Sequence, residues 1–123
     1  MRDIKFRAWH KEGAYMMPVE EIDFENKLIN KSGAWRWFNE VVIMQSTGLK
    51  DKNGVEIYEG DIVHLTSDEG VNYNALIVFK DGGFCAIDGT ESDYSFRRYD
   101  LSRCDLNYEV IGNIYENSDL LED

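Results

Sequence analysis

Three carboxylates near the middle of the sequence have the residue types of an acid–base pair. Glu56, Glu59 and Asp61 lie close together along the chain. Two carboxylates can divide the acid and base roles of a hydrolase when a cleft holds them at a suitable separation. The chain has 24 acidic residues, so close pairs arise by chance and the sequence predicts no catalytic pair here.

The same region has some of the residues of a calcium loop, but the spacing excludes one of the EF-hand type. In a loop that begins at Asp51, the fifth position is Val55 and the twelfth is Ile62. Both positions require side-chain oxygen ligands, and the twelfth requires a bidentate glutamate. We therefore expect no metal, and we interpret the "DKNG" stretch as a tight turn that serves folding.

Histidine and cysteine chemistry has no recognisable pattern. His10 and His64 stand in no metal or nucleophile motif, and His64 alternates with strand residues as a surface or rim side chain would. Cys85 and Cys104 form no CxxC pair and are predicted to be small, reduced core residues, with a disulfide or a reactive thiol as the alternative. The sequence predicts no enzyme and no cofactor.

An aromatic and basic cluster interrupts the acidic second half of the chain in "YSFRRYDLSR". Aromatic rings beside arginines can stack bases or clamp an anion. The alternative is ion pairing with neighbouring aspartates, which would cancel the field that a phosphate feels. The candidate binding residues are Arg97, Arg98 and Arg103.

A second candidate binding surface lies in "AWRWF". Trp35 and Trp37 share one face of an extended segment, and Phe38 follows them. Exposed tryptophans are typical of protein-binding surfaces. Because the next residues form an apolar run that must be covered, core packing is the alternative, and a subunit interface would satisfy both interpretations.

These residues must be positioned by short strands. Apolar side chains alternate with polar ones from residue 3 to residue 9, which predicts a half-buried strand in which Trp9, on the polar face, is covered by a later segment. Residues 60–87 contain three successive strand patterns, and a hairpin signal separates the last two at Asp81-Gly82-Gly83. Many short strands with tight turns and little helix predict a mainly β fold, as a small barrel or sandwich.

Charge is distributed unevenly along the 123 residues. Residues 1–50 carry eight Lys/Arg and seven Asp/Glu, whereas residues 51–123 carry five and seventeen, for a net charge of −11. An acidic half repels phosphate backbones, so we expect no non-specific nucleic-acid binding. It favours a basic partner or simply keeps the protein soluble.

Three stretches, "IKFRAW", "MQSTGLKDKNGVEIYEGDIV" and "YEVIGNIYEN", together resemble the YopX family of phage and prophage proteins. The resemblance extends from the first predicted strand to the last. It implies a phage or prophage origin and the cytoplasm of a bacterial host cell. It also implies a mainly β structure whose C-terminal part is similar to an SH3-like barrel, and it supplies no catalytic residues.

We therefore predict short antiparallel strands, with 1–46 as an N-terminal β-rich segment packed on an SH3-like barrel part formed by 47–123. No stretch approaches the ~20 apolar residues of a membrane span, and the start of the sequence does not resemble a signal peptide. The predicted function is a non-enzymatic accessory module that binds a basic host or phage protein or assembles with itself as a homo-oligomer. The alternative is an acidic DNA mimic that occupies a host nucleic-acid-binding protein.

Overall fold

The computed structural model of the chain describes residues 4–87, 98–101 and 106–121, and of 98–100 it describes the backbone only. Strands dominate this part of the chain, and the antiparallel sheets include a curled half-barrel. The strands are β1 (Phe6–His10), β2 (Tyr15–Val19), β3 (Ile22–Asp23), β4 (Leu28–Ile29), β5 (Arg36–Trp37), β6 (Val41–Lys50), β7 (Glu56–Tyr58), β8 (Asp61–Thr66), β9 (Asn72–Lys80), β10 (Gly83–Ile87), β11 (Arg98–Asp100) and β12 (Asn107–Asn113).

The prediction of a mainly β fold with little helix is confirmed. The helical segments in the described part of the chain are two short 3₁₀ turns, Phe38–Glu40 and Ser118–Leu121. Neither is long and apolar enough to cross a membrane. The SH3-like character of the C-terminal part stays a prediction, as does the division at residue 46, a position that lies inside the continuous strand β6.

The N-terminal sheet has the strand order β2-β1-β6-β7 and is antiparallel throughout. A strand forms where the alternation predicts it, but the prediction that it is half-buried is wrong, because Ala8 on one face and Trp9 on the other are both buried. The prediction that a later segment covers Trp9 is confirmed. Its ring stacks on Tyr115, with ring centroids 5.4 Å apart.

The C-terminal sheet has the order β11-β10-β9-β8-β12. The three antiparallel strands predicted over residues 60–87 are confirmed as β8, β9 and β10. The hairpin between β9 and β10 has Asp81 and Gly82 at positive φ, as a two-residue turn of this kind requires. Its main core consists of Ile57, Val63, Leu65, Ala75, Ile77, Ala86, Leu101, Leu106 and Tyr108.

A small sheet of three two-residue strands, in the order β3-β4-β5, lies between β2 and β6 in the sequence. It packs on the Ala8 face of the N-terminal sheet, where Ile29 is completely buried beside Met17 and Val41. The N-terminal sheet is therefore covered by the small sheet on one face. Its other face, which bears Arg7 and Trp9, meets the C-terminal sheet.

Candidate functional site

Each of the three central carboxylates makes a contact within the molecule. Glu59 accepts a hydrogen bond from the amide of Gln45 at 2.8 Å, and Asp61 accepts one from the amide of Tyr58 at 2.8 Å. Glu56 lies 3.3 Å from the ammonium group of Lys5. Within the residues that the structure describes, no group of His, Cys, Asp or Glu is arranged to hold a metal ion.

The two histidines lie in different sheets, each in a local contact. His10 accepts a hydrogen bond from the amide of Gly13 at 2.7 Å, and its ring stacks on Tyr15. His64 is partly buried, and its Nδ1 lies 2.7 Å from the amide oxygen of Asn74, which places the proton on Nδ1. Cys85 is buried, as predicted for a core residue, whereas Cys104 lies outside the described residues.

The predicted turn at residues 51–54 is confirmed, and Asp51 organises it. Its carboxylate accepts hydrogen bonds from the amides of Asn53 and Val55 within the turn, and from the amide of Val110 in β12. Burial by itself would raise the pKa of Asp51, but these three amides outweigh it and hold the pKa below its usual value. The side chain therefore ties the turn to the edge of the C-terminal sheet.

An ion pair joins the two large sheets through their interior. Arg7 Nη2 in β1 lies 2.8 Å from Asp61 Oδ1 in β8, and the Asp61 side chain is only 3% exposed. The guanidinium group also lies over the ring of Tyr58, 4.7 Å from its centroid. Burial raises the pKa of Asp61, and the amide of Tyr58 and the charge of Arg7 oppose that shift only in part.

Trp35 and Trp37, two of the predicted binding residues, lie on the surface beside Leu28 and Lys31. We name the surface formed by these four residues the tryptophan face. The two tryptophan rings meet edge to face with centroids 5.2 Å apart, and each residue is 45% exposed. Together with Leu28 and Lys31 they line a shallow depression of about 250 Å³. The structure thus places Trp35 and Trp37 on the surface, on the outer side of the small sheet.

Phe38, the third residue of this predicted set, is arranged differently. It begins the 3₁₀ turn before β6 and packs, half-buried, against the core that contains Met17 and Ile29. Its ring meets Phe24 edge to face at 6.0 Å. Phe38 therefore supports the small sheet from below while the tryptophans point outward.

Most of the aromatic and basic cluster lies outside the described residues, including Arg97 and Arg103. The backbone of Arg98 is described. It begins the edge strand β11 and pairs with Ile87 of β10.

A cleft that no sequence pattern predicts lies between the two large sheets, and we name it the inter-sheet cleft. It measures about 350 Å³. Tyr115 forms part of its wall, and burial together with the nearby charge of Glu59 raises the pKa of the Tyr115 phenol. No local motif indicates it, because its walls come from four separate segments. The lining residues are Val42, Ile43, Met44, Glu59, Gly60, Leu76, Ile77, Val78, Phe79, Ile114 and Tyr115.

Comparisons with known proteins give a family and two similar solved structures. The family model described as YopX protein matches residues 5–122. The crystal structure of protein EF1440 from Enterococcus faecalis is similar over 99% of this chain and 100% of its own, with 34% sequence identity and a TM-score of 0.68.

The X-ray crystal structure of protein yopX from Bacillus subtilis has 25% identity and a TM-score of 0.59, and the match covers 99% of this chain and 100% of the other. No curated protein matches the chain.

Proposed function

The chain belongs to the YopX protein family, and we propose that it is a non-enzymatic module that assembles with itself through the tryptophan face. The observation that carries this proposal is the exposure of Trp35 and Trp37, each 45%, on the outer side of the small sheet. Tryptophan is the residue type most enriched at the energetic centres of protein interfaces. Leaving two such rings half in water is unfavourable unless a partner covers them.

The local geometry supports a surface that is organised before it binds. Trp37 pairs with Leu28 across the small sheet, and its ring is braced by Trp35. Edge-to-face aromatic pairs restrict the motion of both rings, so little side-chain entropy remains to be lost on binding. The rim includes the ammonium group of Lys31, which gives the apolar centre a polar border, as is usual at interfaces.

A second copy of the chain is the partner that the charge distribution favours. The small sheet belongs to residues 1–50, whose charges nearly balance, whereas residues 51–123 carry seventeen acidic and five basic residues. Two small sheets can therefore meet about a two-fold axis while the acidic parts stay apart. The area of the tryptophan face is modest, so the association is concentration-dependent rather than permanent.

We infer that this assembly forms in the bacterial cytoplasm and that the protein is encoded by a phage or prophage. The support is the resemblance of the three sequence stretches to that family and the bacterial sources of the two similar structures. The acidic C-terminal part remains free in such a dimer to meet a basic host or phage protein.

Sedimentation velocity across a range of concentrations tests the self-assembly. The apparent mass of the wild-type protein should rise above the monomer mass of 14.3 kDa as its concentration increases. The double variant Trp35→Ala/Trp37→Ala should remain a monomer, whereas Leu49→Ala, which alters a side chain of similar exposure (43%) away from the tryptophan face, should behave as wild type. A wild-type monomer at every concentration, or equal behaviour of the two variants, would refute the proposal.

The alternative of an acidic DNA mimic stays a prediction. It needs carboxylates spaced along a surface in the manner of phosphates. Four of the acidic residues in the central stretch, Asp51, Glu56, Glu59 and Asp61, make contacts within the molecule. A phosphate-like spacing of carboxylates would therefore have to come from the other acidic residues of the chain.

A further inference from the structure

We propose that the inter-sheet cleft binds an extended peptide segment of a partner protein, which adds as a strand between the backbone edges of β6 and β9. This goes beyond the proposed self-assembly. The cleft lies on the Trp9 side of the N-terminal sheet, whereas the tryptophan face lies beyond its Ala8 side. The two surfaces can be occupied independently.

The first edge is the backbone of Ile43 in β6. The amide of Ser46 bonds to the carbonyl of Lys5, so in the alternating antiparallel ladder Ile43 opposite Ala8 is a pair without hydrogen bonds. Its N–H and C=O therefore point away from β1, toward the cleft. The side chain of Ile43 packs in the core beneath the small sheet, so its backbone is the part that lines the cleft.

Strand β7 does not cover this edge. Gln45 uses both its N–H and its C=O on Glu59, and the β6–β7 register begins only at Ser46. Two residues earlier, at Ile43, no partner for the backbone is found among the described residues. An uncovered strand edge with unpaired donors and acceptors is a template for another strand.

The second edge is the backbone of Phe79 in β9. The amide of Gly60 bonds to the carbonyl of Ile77, so the alternate residue Phe79 faces the same side, beyond the point where β8 begins. Phe79 lies opposite Phe84 across the hairpin, and their rings meet edge to face at 5.1 Å. The Phe79 side chain is 56% exposed, so this end of the cleft is open.

Glu59 and Gly60 form a single backbone segment that bonds to both strands. Glu59 bonds to Gln45 of β6, and Gly60 bonds to Ile77 of β9. This dipeptide thus occupies the position between β6 and β9 that an added strand would continue. Neighbouring strands lie about 4.8 Å apart, so a strand inserted between two others requires them to be about 10 Å apart.

The side chains that line the cleft indicate which peptide sequence it binds. The walls are mainly aliphatic and aromatic, including Val42, Met44 and Leu76, and suit one or two apolar side chains. Acidic residues lie in the walls or within two positions of them, namely Glu40, Glu59, Asp81 and Glu116; of these, Glu40 lies 4.0 Å from Arg36 and Glu59 accepts a hydrogen bond from the amide of Gln45. The cations nearest the walls are Lys80, next to Phe79, and Arg7, which contacts Met44 and the carbonyl of Glu59 but is paired with the buried Asp61. An extended segment that alternates apolar with basic residues complements this surface.

Amide hydrogen exchange measured by NMR tests the proposal with a defined probe. The probe is a capped six-residue peptide that alternates lysine and valine, added to the full chain. We expect it to bind and to slow exchange at the amides of Ile43 and Phe79. A peptide that alternates glutamate and valine should bind more weakly, and a probe methylated on alternate backbone nitrogens should lose about threefold to tenfold in affinity, the value of one lost hydrogen bond.

Variants provide the second arm. Phe79→Pro removes the backbone N–H at the edge of β9, whereas Phe79→Ala keeps it. The affinity for the lysine and valine probe should therefore fall more in Phe79→Pro than in Phe79→Ala. The Trp35→Ala/Trp37→Ala variant should bind the probe with unchanged affinity, so a failure of self-assembly is distinguishable from a failure of peptide binding.

Three results with the probes would overturn the inference: no binding of the lysine and valine probe, binding that leaves exchange at Ile43 and Phe79 unchanged, or equal affinity for the methylated probe. Protection of Ile43 that rises with protein concentration in the absence of probe would also overturn it, since a second copy would then occupy the cleft.

Discussion

Arg7 in β1 and Asp61 in β8 form an ion pair, 2.8 Å from Nη2 to Oδ1, that joins the two large sheets through the interior of the molecule. Each partner has a further contact, Arg7 with the carbonyl of Glu59 and Asp61 with the amide of Tyr58. The pair therefore fixes where the turn before β8 meets the first strand.

Arg7→Leu should destabilise the protein strongly, because it leaves the carboxylate of Asp61 buried without a cation. Removing one partner of a buried pair costs about 3–5 kcal/mol in the free energy of unfolding. Adding Asp61→Asn to Arg7→Leu should recover part of this loss, since asparagine still accepts the Tyr58 hydrogen bond without a charge. Urea denaturation measures both. The exposed pair Lys52–Glu109 gives the control, and Lys52→Ala should cost about 0–1 kcal/mol. A similar cost for Arg7→Leu would contradict the prediction.

Asp51→Ala should also destabilise the fold, since three backbone amides lose their acceptor at once. We expect a loss of about 2–4 kcal/mol in the free energy of unfolding, because buried amides left unsatisfied each cost more than an average hydrogen bond contributes. Asp68, which is exposed, provides the matched control. Thermal unfolding should show a clear drop in Tm for Asp51→Ala and almost none for Asp68→Ala.

The lowered pKa of Asp51 predicts a specific dependence of stability on pH. Since the folded-state pKa lies below the usual value of 3.8, the unfolded state binds more protons in that window, and stability rises with pH across it. The contribution is complete above the unfolded pKa and is lost as pH falls through the folded one.

The stability difference between wild type and Asp51→Asn should therefore be largest near neutral pH and shrink below about pH 4. The raised pKa of Asp61 acts in the opposite direction in both proteins, and because the charge of Asp51 is only the last of its causes, most of that contribution cancels in the difference. Urea titrations of both proteins at several pH values provide the measurement. A difference that stays constant down to pH 2.5 would rule out this role for Asp51.

Gly60→Ala should be more harmful than Gly54→Ala. Both glycines have positive φ, +88° and +82°, so each alanine adopts a strained backbone at a cost of about 1–2 kcal/mol. At Gly60 the added Cβ would also lie 2.8 Å from the sulfur of Met44, whereas at Gly54 it would have no heavy atom within 4 Å. Chemical denaturation of the two variants separates the shared strain from the added clash. Equal losses would show that Met44 moves aside freely.

The features that the sequence predicts correctly are local. The alternation of apolar and polar side chains with a period of two residues predicted β1. The hairpin signal at Asp81-Gly82 predicted the turn between β9 and β10. The turn that begins at Asp51 followed from the backbone preferences of Asn53 and Gly54. In each case the physical cause lies within a few residues, so it is visible in one sequence.

The features that the sequence does not predict depend on partners far apart in the chain. Nothing near Arg7 indicates that its counter-ion is Asp61, and nothing near Asp51 indicates Val110. The inter-sheet cleft likewise depends on where β6 stops pairing with β7. Pairing stops at Gln45, because its amide bonds to the side chain of Glu59 instead of to a backbone carbonyl. The tryptophans were candidates from their residue type, but only the structure shows that Phe38 packs against the core while the rings of Trp35 and Trp37 remain exposed.

The stacking of Trp9 on Tyr115 has a consequence for protein synthesis. The ribosome releases the first strand long before the residue that shields its indole ring, so the nascent chain carries an uncovered tryptophan through most of translation. For that interval the nascent chain exposes an aromatic surface that chaperones can engage. The Trp9 ring is therefore covered late, only after Tyr115 has been synthesised.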